Sequence, residues 1–209
     1  MIQTYRLQKL RLCNRNSLKL FFVFTFFLIQ AFAFAQPCPK YGSATTPEKK
    51  KLNILKNAGV NVSATKIPEK LPLKNLLPAR KRIDRHLYAD GAYVVTEGFL
   101  ISFEEEGPES CNCNKAKKSL KNGDVHIYLG LKKNALKKNC IVIEITPPFK
   151  KKHPDYESML EENIKVRVKG YLLYDFLHEK DAINTCNSCD RAWRKTCWEI
   201  HPVTDIEKL

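Results

Sequence analysis

The chain has 209 residues, 44% of them hydrophobic and 28% charged, with a formal net charge of +14. Five basic residues fall in the first 35 positions; residues 36–92 hold twelve Lys/Arg against four Asp/Glu, and residues 93–209 hold nineteen against eighteen. The basic excess therefore belongs to the N-terminal part, and the whole-chain pI of 9.4 excludes nothing about the nearly neutral C-terminal part, least of all by making it a nucleic-acid-binding domain.

Arg6, Lys9, Arg11, Arg15 and Lys19 precede an apolar run from Phe21 to Phe34, broken only by Thr25 and Gln30 and closed by Ala33-Phe34-Ala35. This is the order of a cleavable secretory signal over residues 1–35. As a helix the run would reach about 21 Å, short of the ~30 Å hydrocarbon core of a bilayer. Ala35-Gln36-Pro37 before Cys38 lacks the aliphatic residue of a lipoprotein signal. The expectation is an exported protein, periplasmic or extracellular, without stable membrane insertion after cleavage.

Residues 36–92 form a basic, proline-rich extension with six prolines. One helix is legible inside it: Thr46 as cap, Pro47 in the first turn, Leu52, Leu55 and Ala58 along one face, and Gly59 as the stop. Ile67, Leu71, Leu73, Leu76 and Leu77 then predict an extended wrap against the following domain.

Residues 93–209 read as strands. Tyr93 to Glu104 is apolar and rich in β-formers, and a polar loop follows. Asp124 to Leu129 alternates with Val125, Ile127 and Leu129 inward; Cys140 to Thr146 alternates with Ile141, Ile143 and Ile145 inward. Pro154, with Asp155 and Glu157 in the first turn and Tyr156, Met159 and Leu160 on one face, predicts a helix near 154–163. Lys165 to Asp175 is a fourth strand. Thr196 to His201, stopped by Pro202, is a fifth.

Strand, strand, strand, helix, strand, strand resembles the OB-fold, a five-stranded Greek-key barrel with its helix between the third and fourth strands. Gly98-Phe-Leu100 and Gly170-Tyr-Leu172 sit where such barrels bend their long strands. Asp124-Val-His-Ile127, Gly170-Tyr-Leu-Leu-Tyr-Asp175 and Thr196-Cys-Trp-Glu-Ile-His-Pro202 are similar to stretches of exported bacterial OB-like barrels, a resemblance that implies no activity. The expected fold is thus mostly β: a small OB-like barrel over 93–209 behind an N-terminal wrap.

Seven cysteines follow the signal. In an oxidising compartment, Cys111 and Cys113 in the first long loop and Cys186 and Cys189 in the last could staple the two loops, or the four thiolates could hold Zn2+. Cys140 and Cys197, at the starts of neighbouring strands, are a further candidate pair, leaving Cys38 alone. Strand parity turns Asp124, His126, Tyr128, Glu144, Glu199 and His201 outward. Two histidines with carboxylates on adjacent strands can bind a divalent metal or act as acid and base, and the plain alternative is a solvated face. Arg191, Trp193 and Arg194, with Lys165, Arg167, Lys169 and Tyr128, are candidate ligand-binding residues, because an indole flanked by guanidiniums can stack a base or a sugar.

The leading expectation is a non-catalytic exported binding module for a polyanion, nucleic acid or acidic saccharide. The alternatives are a metal-dependent hydrolase using the His/Glu face and a structural envelope protein that binds a protein partner through its wrap.

Overall fold

The computed structural model describes residues 38–77, 85–113, 123–186 and 188–209; the signal reading over 1–35 lies outside them. Residues 38–209 form one compact unit. Among the described residues no helix is long and apolar enough to cross a membrane.

Helix α1 (Pro47–Lys56) begins as its residues dictate: Thr46 Oγ1 accepts from Lys49 N at 3.4 Å and Pro47 fills the first turn. A two-residue strand β1 (Glu69–Lys70) and a single helical turn α2 (Leu73–Leu76) complete the wrap. Leu71, Leu73, Leu76 and Leu77 are buried against the barrel, but Ile67, expected among them, is 86% exposed.

Five strands make the barrel: β2 (Tyr93–Glu105), β3 (Val125–Gly130), β4 (Ile141–Ile145), β5 (Lys165–Tyr174) and β6 (Trp198–Lys208). They run in the order β2-β3-β4-β6-β5, and β5 pairs back onto β2, so the sheet closes. β4 and β6 are its parallel pair, and β1 adds in parallel to the free side of β2 at Glu69↔Val94. Val125, Ile127 and Leu129 from β3 meet Ile141, Ile143 and Ile145 from β4, with Val166, Val168, Trp198 and Ile200, in one core. A side chain at Gly170 would lie 2.7 Å from the Pro202 carbonyl oxygen, and the β5–β6 register shifts at this point. Gly170 thus permits both a bend and a close approach.

Two boundaries differ from expectation. The helix before β5 is α3 (Pro147–Lys152), and only a 3-10 turn, Tyr156–Met159, occupies the expected 154–163. Pro147 and Pro148 preset the first turn, whereas Pro154 disfavours helical geometry at His153 and ends the helix there. β6 does not stop at Pro202. The His201-Pro202 peptide is cis and lies beside the irregular register at Gly170, where a missing N–H is tolerated.

The cysteines pair differently from both expectations. Cys38 bonds Cys113, tying the start of the wrap to the β2–β3 loop, and Cys186 bonds Cys189 within the β5–β6 loop. Neither the inter-loop staple nor a four-thiolate set is assembled. Cys111, Cys140 and Cys197 are free and buried. Cys140 lies in a small outer cluster with Ile101, Tyr128, Val142 and Trp193, while Cys197 turns into the main core, so the two thiols sit on opposite faces of the wall.

Candidate functional site

β3 and β4 place His126 directly opposite Glu144, and the parallel pairing of β4 with β6 brings Glu199 beside Val142. Strand alternation puts His201 on the same side as Glu199. Asp124 precedes β3 by one residue. These outward residues do converge, but they are not solvated: Asp124, His126, Glu144, Glu199 and His201 are all buried. The cover is the wrap. α1 packs on β6 and on the 3-10 turn Ser110–Asn112, held by Asn53 Nδ2 donating to Tyr41 O, Ser110 Oγ donating to Asn53 Oδ1 and Asn57 Nδ2 donating to Cys111 O.

Four further charged groups enter this space, none of them singled out from the sequence. Lys56, the last residue of α1, sets its Nζ 2.8 Å from Glu109 and 2.8 Å from Asp175. Glu106 joins from the end of β2, its Oε1 3.0 Å from His126 Nε2. Glu144 Oε1 stands at 3.0 Å from the same nitrogen. His201 Nδ1 lies 2.8 Å from Glu144 Oε2 and 3.3 Å from Glu199 Oε1. Arg194 is fully buried, with its Nη2 2.9 Å from Glu199 Oε2 and its Nε donating to Thr196 O.

The electrostatics follow from burial set against neighbours. Burial alone would depress the Lys56 ammonium, but Asp175, Glu144, Glu109 and Glu199 hold it well above the lysine range. Burial opposes the His126 imidazolium, while Glu144 and Glu106 draw it well above the histidine range; His201 is raised in the same way, chiefly by Glu144. Burial would raise Glu144, but His201, His126 and Lys56 keep it well below the carboxylate range. Burial and then Glu144 push Glu106 well up, and burial carries Asp124 to about 6. These are directions expected where like charges share a dry site.

The site opens into a pocket of about 660 Å³ between the β2–β3 and β5–β6 loops. Glu104, Glu105, Glu106 and Glu109 line it together with Lys137, and Trp193, Tyr128, His126 and His178 wall it. Trp193 stacks on His126 at 6.1 Å and meets His178 edge-on at 5.3 Å. Tyr128 is buried and donates to Glu104.

The expected cationic face is dispersed. Arg194 points into the wall rather than beside Trp193 as a free stacking partner, although its guanidinium lies 5.4 Å from the indole. Arg191 is exposed. Lys165 and Arg167 pair with Glu97, Arg167 also with Glu207, and Lys169 with Asp205. These three line a separate groove of about 600 Å³ with Lys70 and Lys74 of the wrap.

No family model and no curated protein matches the chain. Solved structures do. An OBody, AM1L10, bound to hen egg-white lysozyme is similar at 12% identity and a TM-score of 0.35, covering 69% of this chain and 98% of that one. A putative aspartyl-tRNA synthetase from Leishmania major Friedlin is similar at 12% identity and a TM-score of 0.36, with 70% of this chain and 22% of that one covered. RecG bound to a three-way DNA junction is similar at 14% identity and a TM-score of 0.35, with 93% of this chain and 22% of that one covered. The closed five-stranded barrel is consistent with an OB-like fold, and what the chain binds rests on its own residues.

Proposed function

We propose that the protein is an exported, OB-like binding module whose ligand is a cation, taken up through the pocket between its two long loops. One observation supports this above the others. Glu106, Glu109, Asp124, Glu144, Asp175 and Glu199 converge behind β3, β4 and β6, and among the described residues the permanently charged cations in direct ion pairs with them are Lys56 and Arg194, with Lys150 attracting Asp124. Buried carboxylates require positive partners, so the site is short of positive charge unless it binds more or takes up protons. The pocket above it adds glutamates and an indole, which also favour a cation.

A second reading keeps the polyanion. The groove of Lys70, Lys74, Lys165, Arg167 and Lys169 has Glu97 as its acid, and an acidic saccharide or nucleic acid could lie along it.

Melting the chelator-treated protein with Zn2+, Mn2+, Ca2+ and choline, and separately with single-stranded DNA and an acidic glycan at two salt concentrations, decides between them. The cation reading predicts a saturable rise in Tm with at least one cation and none with the polyanions. A salt-sensitive shift with DNA or glycan, without any cation response, would replace it with the groove.

A further inference from the structure

Resting on the cation-binding reading and naming its ion, we infer that the buried wall is a two-cation centre for divalent transition metals. Glu106, His126 and Glu144 hold one ion; Asp124, Glu144 and His201 hold the other; Glu144 bridges them. In each set the donor atoms lie within 4.8 Å of one another.

The geometry around His126 separates this from a hydrogen-bonded network. A protonated imidazole aims its N–H along a line to one acceptor. His126 Nε2 is instead 3.0 Å from Glu106 Oε1 and 3.0 Å from Glu144 Oε1, and neither contact has hydrogen-bond geometry. Two carboxylate oxygens thus stand equally close to one ring nitrogen that bonds to neither. Donors about 2.1 Å from a shared ion lie about 3.0–3.4 Å from each other, so the spacing is that of coordination edges. The same holds across the wall: Glu144 Oε2 is 2.8 Å from His201 Nδ1 without a hydrogen bond to it, and the buried His201 Nε2 has no partner. Glu144 thus sends one oxygen to each histidine, as a bridging carboxylate does.

Charge and donor chemistry agree with the geometry. Among the described residues the six converging carboxylates outnumber the cations paired directly with them, Lys56 and Arg194, and Lys150 attracts Asp124 as well; divalent ions offset the remaining negative charge with both imidazoles neutral. Imidazole with carboxylate suits Zn2+, Mn2+ or Fe2+ rather than the all-oxygen preference of Ca2+ or Mg2+. A third acidic group, Glu109, Asp175 and His178, takes no ion in this scheme, because Lys56 Nζ already stands 2.8 Å from both carboxylates. Glu199 stands 3.3 Å from His201 Nδ1 and receives Arg194 Nη2, so it borders the second position without holding an ion in this scheme. Each position has an approach: Glu106 and His126 line the 660 Å³ pocket, and Asp124 lines a separate one of about 310 Å³.

The test is metal content and titration calorimetry on the full mature chain, stripped with chelator and reloaded with Zn2+ or Mn2+. Two equivalents per chain are expected, falling to one in His126→Ala and one in His201→Ala, and to none tightly held in Glu144→Gln. Loaded with Mn2+, the protein should give the electron-spin signal of an exchange-coupled pair, and His126→Ala that of an isolated ion. Circular dichroism verifies the fold; His126→Gln and His201→Gln replace any alanine variant that fails to fold. Uptake of Ca2+ or choline without Zn2+ or Mn2+ would overturn the two-ion centre and leave the cation pocket standing. Uptake of no cation overturns both, as would one equivalent indifferent to all three substitutions overturn the centre.

Discussion

Two outer faces of the same barrel carry the same kind of sequence and end in different environments. On β5, Lys165, Arg167 and Lys169 alternate with Val166 and Val168, and their charges meet Glu97, Glu207 and Asp205 at the surface. On β3, His126 and Tyr128 alternate with Val125, Ile127 and Leu129 in the same way, yet they are as buried as the core. The difference lies in what covers them, since α1 and the two long loops close over β3, β4 and β6. Alternation tells which side of the wall a residue occupies. It does not tell whether that side is wet, and the worth of a charge depends mostly on that.

Substitutions can break this comparison. The largest effect should come from Lys56→Met in the metal-free protein. Removing one member of a buried ionic group leaves its partners uncompensated, so urea denaturation should show a loss of about 3–5 kcal/mol. Ile143→Ala, on the inner face of the same wall, should cost about 2–5 kcal/mol by leaving a cavity. Cys38→Ser frees the wrap from the β2–β3 loop at the Cys38–Cys113 bond, and a loss of about 2–4 kcal/mol is expected. Because α1 is the lid, the same variant should also expose the centre, read as faster metal loss to a chelator. Arg167→Ala should be the smallest: its pairs are surface pairs, and denaturation midpoints in low and high salt should be indistinguishable from the parent's.

Much of the barrel was legible because each strand states its own face. Val125, Ile127 and Leu129, and Ile141, Ile143 and Ile145, occupy the core their alternation predicts. Half of the candidate site was legible for the same reason, since parity alone puts His126, Glu144, Glu199 and His201 on one side. The other half comes from segments without periodicity. Glu106 and Glu109 lie in or beside a loop, Asp175 caps the 3-10 turn after β5, and Lys56 ends a helix 53 residues before its partner Glu109 and further still from Asp175, distances only the fold closes. The acidic run Glu104 to Glu109 beside Cys111 was the available signal for the loop members. Nothing local marks Lys56, because a lysine in the last helical turn is ordinary. The cysteines failed for a related reason: pairing Cys111 and Cys113 with Cys186 and Cys189 assumed that the loops meet each other, whereas the wrap meets the first loop and takes Cys113.

The most direct measurement is an anomalous difference map at the zinc edge, from crystals of residues 36–209 grown with Zn2+. The account predicts two peaks flanking the Glu144 carboxylate, one also touching Glu106 and His126 and the other Asp124 and His201. A map without peaks there, with His126 and His201 each donating a linear hydrogen bond to Glu144, would contradict it.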